Sequence, residues 1–200
     1  MTWTLFAGLI VFSSVTAFTP GPNNLMALAS GANWGYRATL PHIFGVCLGF
    51  AVMLALVGAG LGSLFKALPM AYTFLKFAAL AYLLFLAWKI ASSESIGEGR
   101  KNTKPLTLLG AAAFQWINPK AWIASVTIVA SFTAPNDFWP SLCIGGGANI
   151  VLAFLAVSSW ALFGTIVKAW LSNSVRLRAF NWSMAALLVL SVLPSVFHSS

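Results

Sequence analysis

The 200-residue chain is 60% hydrophobic, only 7% charged and carries a net charge of +8. Soluble domains contain roughly 25% charged residues, so this composition excludes an ordinary soluble domain and indicates a polytopic helical membrane protein. The eleven lysines and arginines stand singly between apolar runs, without a basic stripe interleaved with aromatics, which argues against a nucleic-acid partner.

Six apolar segments are predicted as transmembrane helices, because each is long enough to cross a bilayer. In chain order they are Thr4–Ala32, Leu40–Phe65, Tyr72–Ala91, Leu106–Phe132, Trp139–Val167 and Phe180–Phe197. The first is interpreted as a retained helix, since it lacks the basic start of a signal peptide and its apolar run is too long. We predict one transmembrane domain over 1–200, with a first repeat over about 1–92, a connector over 93–105 and a second repeat over about 106–200.

Positive charges are distributed unevenly between the two sides of these segments. Eight lysines and arginines fall on the side of the central connector, and two, Lys66 and Lys76, fall on the other. Lys120 is left out of this count because it lies inside the fourth segment. Under the positive-inside rule, the bias predicts a cytoplasmic connector and both termini outside.

The two halves of the chain show weak internal similarity. The stretch "FTPGPNN" in the first segment corresponds to "FQWINPK" in the fourth, and "PHIFGVCLGF" in the second corresponds to "PSLCIGGGAN" in the fifth. Apolar helices resemble one another by composition alone, but matched proline breaks are harder to explain in that way. Three segments per half force the halves into opposite orientations. We therefore predict an all-α fold of six transmembrane helices in a 3+3 inverted repeat, with helices 1 and 4 broken at proline.

The first break is the stretch Pro20, Gly21 and Pro22, where several backbone groups lose their intrahelical partners. Inside a bilayer those groups need protein, water or a ligand. We expect Asn23 and Asn24 to cap the helix that restarts here, and its free amides to form a site for an anion such as a carboxylate. The alternative is an ordinary proline kink that neighbouring helices satisfy.

The second break contains Gln115, Asn118, Pro119 and Lys120. A lysine near the bilayer centre costs about 2.5–3.5 kcal/mol on insertion scales, so we expect Lys120 to face the bundle interior or a wet cavity. Snorkelling to an interface is the alternative, but the nearer end of the span is too far for one side chain. No acidic residue lies inside a predicted span, so a substrate carboxylate would suit this lysine.

The sequence says less about the role of the histidine, asparagine and cysteine residues outside the two breaks. His42 is either a cavity residue that titrates near neutral pH or an interfacial hydrogen-bonding residue. Asn149 is the only strongly polar side chain in the middle of the fifth segment. Cys47 and Cys143 lack CxxC spacing and are interpreted as packing residues. Because common enzyme motifs are missing, we expect no enzyme and no metal or other cofactor.

These motifs also carry a family resemblance. The stretches concerned are "TPGPNNLMALASGANWGYRA" in the first segment, "AALAYLLFLAWKIA" in the third and "NPK" in the fourth. In these stretches the chain resembles the lysine exporter (LysE/RhtB) family of bacterial amino-acid efflux proteins, and the resemblance extends essentially from end to end. It is most similar to the branch that exports cysteine and O-acetylserine. The resemblance implies a multi-pass inner-membrane protein that exports an amino acid or derivative, driven by the proton gradient. Many relatives carry an acidic residue where this chain has Asn149, so coupling would use His42, Lys120 or the substrate itself.

The leading hypothesis is a secondary transporter whose two breaks meet near the membrane midplane. The predicted substrate-binding residues are Pro20, Gly21, Pro22, Asn23, Asn24, Gln115, Asn118, Pro119, Lys120 and Asn149. Amides after Pro22 and the Lys120 ammonium would bind the carboxylate, and the side-chain amides would bind the amine and side chain. Expected partners are the amino-acid substrate and the lipid bilayer, with a homodimer left open.

Two alternatives from other classes accompany this hypothesis. One is an exporter of a metal or other small ion on the same scaffold, although such a protein should carry acidic or thiolate ligands in mid-span. The other is a membrane-embedded lipid-modifying enzyme that uses His42 and Asp137. The predicted topology disfavours the enzyme, because it places His42 near the inner face and Asp137 outside.

Overall fold

The computed structural model describes residues 1–61, 77, 81, 84, 85, 87, 88, 91, 105–134, 136–168, 170 and 173–197. These residues form helices and turns, without a strand among them. The all-α prediction is therefore confirmed for this part of the chain. Most of the predicted third segment, Tyr72–Ala91, and almost all of the central connector lie outside the described residues.

The predicted first segment consists of two helices, α1 (Trp3–Phe18) and α2 (Pro22–Trp34), with a bend of 50° between them. Helix α1 begins after Thr2, whose hydroxyl accepts a hydrogen bond from a backbone amide of the first turn. Helix α2 begins with proline. A backbone N–H at the first helical position would have no intrahelical acceptor, so its absence in proline costs no hydrogen bond there. The helix ends at Trp34 and is followed by Gly35, whose φ of +84° lies in the region that favours glycine.

Helix α3 (Tyr36–Leu56) continues into a wider turn over Val57–Leu61 and corresponds to the predicted second segment. It starts earlier than the predicted Leu40, because a single residue, Gly35, separates it from α2. The observed turn between the first two segments is therefore shorter than the sequence pattern indicated.

The predicted fourth segment contains α4 (Leu108–Phe114), a tight turn over Gln115–Ile117 and α5 (Pro119–Ser131). Helix α6 (Phe138–Val167) agrees with the predicted fifth segment, whereas α7 (Ser174–Phe197) begins before the predicted Phe180. The structure thus has a helix break in each of the two places where the proline motifs predicted one.

Two helices in the described ranges are long and apolar enough to cross a membrane, over Tyr36–Gly60 and Phe138–Val167. The bent pair α1–α2 makes a third when it is counted as one span. These lengths fit a multi-pass membrane protein. The six-span 3+3 repeat stays a prediction.

Glycine brings helices beside the two breaks into backbone contact. A Cβ atom on Gly31 of α2 would collide with the carbonyl oxygen of Ala161 in α6. A Cβ atom on Gly49 of α3 would likewise lie too close to the backbone of Ala112 in α4. Because no side chain separates these backbones, α2 and α4 are held firmly against the longer helices α6 and α3.

Candidate functional site

The two breaks lie beside a cavity of about 70 Å³, which has room for several water molecules. Of the ten predicted substrate-binding residues, all except Pro20 and Pro119 line it. Its polar lining comprises Ser13, Thr16, Asn23, Asn24, Gln115, Asn118, Lys120 and Asn149. Its apolar lining includes Phe12, Val46, Phe50, Ile128 and Val157. Such a mixture suits a small ligand that carries polar groups and a short side chain.

The backbone carbonyl groups at the end of α1 accept hydrogen bonds from side chains outside this helix. Asn24 Nδ2 donates hydrogen bonds to the carbonyl oxygens of Ala17 at 2.7 Å and Thr19 at 2.9 Å. Trp160 Nε1 donates to the carbonyl oxygen of Phe18 at 3.2 Å. These bonds replace partners that the helix loses where it stops.

The prediction that Asn23 and Asn24 cap α2 is wrong. The residue at the cap position is Gly21, which has no side chain, and no side-chain hydrogen bond caps this helix start. Asn24 instead turns back to α1, because the bend at the break leaves the carbonyl groups of α1 within its reach. The first backbone amides of α2 therefore lack a side-chain cap.

The second break is capped by its own asparagine. Asn118 Oδ1 accepts a hydrogen bond from the Lys120 amide at 3.1 Å, and Pro119 occupies the first helical position of α5. This arrangement starts α5 in the direction that brings the Lys120 side chain to the cavity.

A pair of side-chain amides joins the two breaks. Asn23 Nδ2 donates to Gln115 Oε1 at 2.8 Å, and Gln115 Nε2 donates back to Asn23 Oδ1 at 3.2 Å. Gln115 Nε2 also donates to the Ala111 carbonyl oxygen at 2.9 Å, and Gln115 is fully buried. The structure thus brings the two proline motifs of the chain into direct contact.

Lys120 forms a second link between the breaks. Its Nζ atom donates to the Thr19 carbonyl oxygen at 3.0 Å, to Thr19 Oγ1 at 2.9 Å and to the Pro20 carbonyl oxygen at 3.3 Å. The ammonium group therefore lies at the carboxyl end of α1, where the helix dipole favours a positive charge. Among the described residues the only acid is Asp137, which lies in the turn between α5 and α6 and makes no ion pair with Lys120.

Asn149 lines the cavity from α6 and contacts α1. Its Nδ2 atom donates a hydrogen bond to Ser13 Oγ, and both residues are buried. This contact links the middle of α6 to the middle of α1, and both residues line the cavity.

His42 does not belong to the cavity lining. It is only 1% exposed, and its Nε2 atom has no hydrogen-bond partner among the residues that the structure describes. Val46, one helical turn further along α3, does line the cavity. His42 is thus a buried neighbour of the site and not a group that faces the cavity.

Sequence reasoning missed four polar residues at this site. Ser13 and Thr16 line the cavity, while Thr19 and Trp160 bind groups at the break. For the three hydroxyl residues the available signal was the stretch "FSSVTAFT", which spaces Ser13, Thr16 and Thr19 three residues apart and therefore on neighbouring parts of one helix face.

Comparisons with known proteins identify relatives along most of the chain. The sequence profile described as LysE type translocator matches residues 14–192. The cysteine/O-acetylserine efflux proteins of Escherichia coli K12 and Shigella sonnei Ss046 are each 34% identical to this chain over 171 residues, which cover 84% of this chain and 86% of those proteins. No solved structure matches.

These relatives are transporters, so the expectation of a transporter and not an enzyme is confirmed. The resemblance seen in the proline motifs is confirmed as well, because the matched region contains both breaks. The chain belongs to the LysE type translocator family.

Proposed function

We propose that this protein exports a small, zwitterionic amino acid or amino-acid derivative, of the kind represented by cysteine and O-acetylserine. The family and the names of the efflux relatives support an amino-acid exporter. The observation that carries the proposal is the polar junction of two broken helices around one small cavity. Broken helices frequently form the substrate sites of secondary transporters.

The substrate carboxylate binds at the junction of the two breaks in this proposal. Lys120 is the only cationic residue in the described cavity lining. The backbone amides of Asn23 and Asn24 lie in the first turn of α2, where intrahelical acceptors are missing and the helix dipole favours an anion. A carboxylate between these groups gains both a positive charge and hydrogen-bond donors.

The amine and the side chain of the substrate bind to the remaining lining in this proposal. The side-chain oxygens of Asn149 and Gln115 are neutral acceptors for an ammonium group. Phe12, Val46 and Phe50 supply an apolar wall for a short side chain. The described lining contains no carboxylate, so a substrate with a second positive charge lacks a counter-ion here.

Counterflow in proteoliposomes tests this function. We expect exchange of labelled cysteine or O-acetylserine and no exchange of lysine, because the second ammonium group of lysine has no counter-ion in the described lining. Transport of lysine at a rate equal to that of cysteine would contradict the proposed site. Transport of a metal ion with no amino-acid exchange would favour the ion-exporter alternative.

We further propose that export is coupled to the proton gradient, with His42, Lys120 or the substrate itself as the proton carrier. An imposed pH gradient should then change the rate of net substrate flux in the same vesicles. A net substrate flux that does not change with the pH gradient would contradict proton coupling and leave the exporter proposal intact. A homodimer stays an untested prediction.

We also propose six spans with both termini outside and the central connector in the cytoplasm. Three observations support this arrangement. Both broken segments restart with proline, and α2 and α5 each contain 13 residues. The Met1 amino group contacts Asp137 at 3.2 Å, so the start of α1 lies at the same end of the bundle as the turn between α5 and α6.

Reporter fusions at Glu98 and Asp137 test this topology. We expect the first reporter to be active in the cytoplasm and the second outside, because an odd number of spans separates these positions in the inverted repeat. The same compartment for both reporters would refute the repeat.

A further inference from the structure

Thr19 supplies two of the three oxygen atoms that hold the Lys120 ammonium group. Its hydroxyl accepts from Lys120 Nζ at 2.9 Å and its carbonyl accepts at 3.0 Å, while the Pro20 carbonyl accepts at 3.3 Å. We infer that Thr19 is a positioning residue that holds Lys120 at the edge of the cavity for the substrate carboxylate. This inference rests on the proposed role of Lys120 in carboxylate binding.

The Thr19 hydroxyl is oriented for this role. It donates its own hydrogen to the Thr16 carbonyl oxygen at 3.1 Å, so its lone pairs remain available to the ammonium group. The Thr19 carbonyl oxygen also accepts a hydrogen bond from Asn24 Nδ2 at 2.9 Å. This bond holds the Thr19 backbone in place and does not involve Lys120. Thr19 therefore has hydrogen-bond partners that hold it in place independently of Lys120.

Gly21 provides the space in which the Lys120 side chain lies. A Cβ atom at Gly21 would be 3.0 Å from both Cδ and Nζ of Lys120, closer than ordinary van der Waals contact. The lysine side chain therefore lies directly against the backbone of the first break. A larger residue at this position would push the ammonium group away from Thr19.

Substrate binding requires an exchange at the ammonium group. Lysine has three N–H donors, and all three have oxygen partners in this structure. A carboxylate must therefore replace one of them, and the Pro20 carbonyl, which makes the longest bond, is the partner to be displaced. Thr19 then retains the ammonium group through its two shorter bonds while the substrate occupies the third donor.

The test compares Thr19→Val with Thr19→Ser in the counterflow assay. We expect Thr19→Val to raise the transport KM about tenfold, the effect of losing one hydrogen bond to a charged group, with a smaller change in the maximal rate. Thr19→Ser keeps the hydroxyl and should restore the KM. The matched control is Thr165→Val, because the Thr165 hydroxyl donates to the carbonyl of Leu162 in the same way but lies outside the cavity lining.

A second variant keeps the test decisive if Thr19→Val does not fold. Gly21→Ala should raise the KM as well, because the added Cβ displaces Lys120, while Gly147→Ala should have no effect since nothing lies within 4 Å of a Cβ there. An unchanged or lowered KM in Thr19→Val, or a failure of Thr19→Ser to restore it, overturns the inference. If these variants behave like wild type and Lys120→Ala still loses transport, only the role of Thr19 fails. Wild-type transport by Lys120→Ala refutes the carboxylate site itself.

Discussion

Replacement of Lys120 by alanine is expected to abolish transport and to leave the protein inserted and folded. In the proposed site the Lys120 ammonium is the charge that binds the substrate carboxylate. Loss of one partner of such a pair costs about 2–5 kcal/mol, or roughly 30-fold or more in affinity. Folding should survive, because the Thr19 carbonyl keeps its hydrogen bond from Asn24 when the lysine is removed. Counterflow in proteoliposomes, with thermal unfolding in detergent, measures both properties.

The matched control for this substitution is Lys168→Ala. Lys168 is an exposed lysine at the end of α6 and lies outside the cavity lining, so its loss should leave counterflow unchanged. Wild-type transport by the Lys120 variant would remove this residue from the substrate site. A Lys120 variant that fails to fold, with Lys168→Ala intact, would instead assign the lysine a purely structural role between α1 and α5.

Replacement of Gln115 by leucine is expected to reduce both transport and stability. Gln115 is fully buried, exchanges two hydrogen bonds with Asn23 and donates a third to Ala111. Leucine is similar in volume but leaves Asn23 without its side-chain partner, at a cost of about 1–3 kcal/mol in the free energy of unfolding. Transport should fall by about tenfold or more, because the two breaks lose the bond that holds them at one site.

A double-mutant cycle separates the two effects. We expect Asn23→Leu and Gln115→Leu together to cost less stability than the sum of the single substitutions, since the pair is already broken in each single variant. Transport should stay low in the double variant, because both side chains line the cavity. Asn136→Ala, at an exposed position in the turn between α5 and α6, is the control. Strictly additive losses of stability would contradict the hydrogen-bonded pair.

Local chemistry explains why the two helix breaks were predictable. Pro22 and Pro119 each occupy the first position of a new helix, where a fixed φ and a missing N–H are favourable. Asn118 caps its own helix through the Lys120 amide, two residues away. Each of these features depends on neighbours in the chain, so a short stretch of sequence contains the necessary information.

The partner of Asn24 shows where local reasoning fails. An asparagine after a proline break has two nearby choices, the amides of the helix that begins and the carbonyls of the helix that ends. The sequence pattern favoured the first choice, but the bend of 50° between α1 and α2 puts the carbonyls of Ala17 and Thr19 within reach. The angle depends on the packing of both helices against the rest of the bundle, which the motif does not contain.

The sequence by itself determined the membrane class, the positions of both breaks and the resemblance to amino-acid exporters. These depend on composition and on residues that are close in the chain. Only the tertiary structure decided that Asn23 pairs with Gln115, 92 residues away, and that Lys120 binds Thr19, 101 residues away. The physical reason is that a hydrogen bond needs two groups within about 3 Å at a suitable angle. For groups so distant in sequence, the packing of whole helices sets that distance.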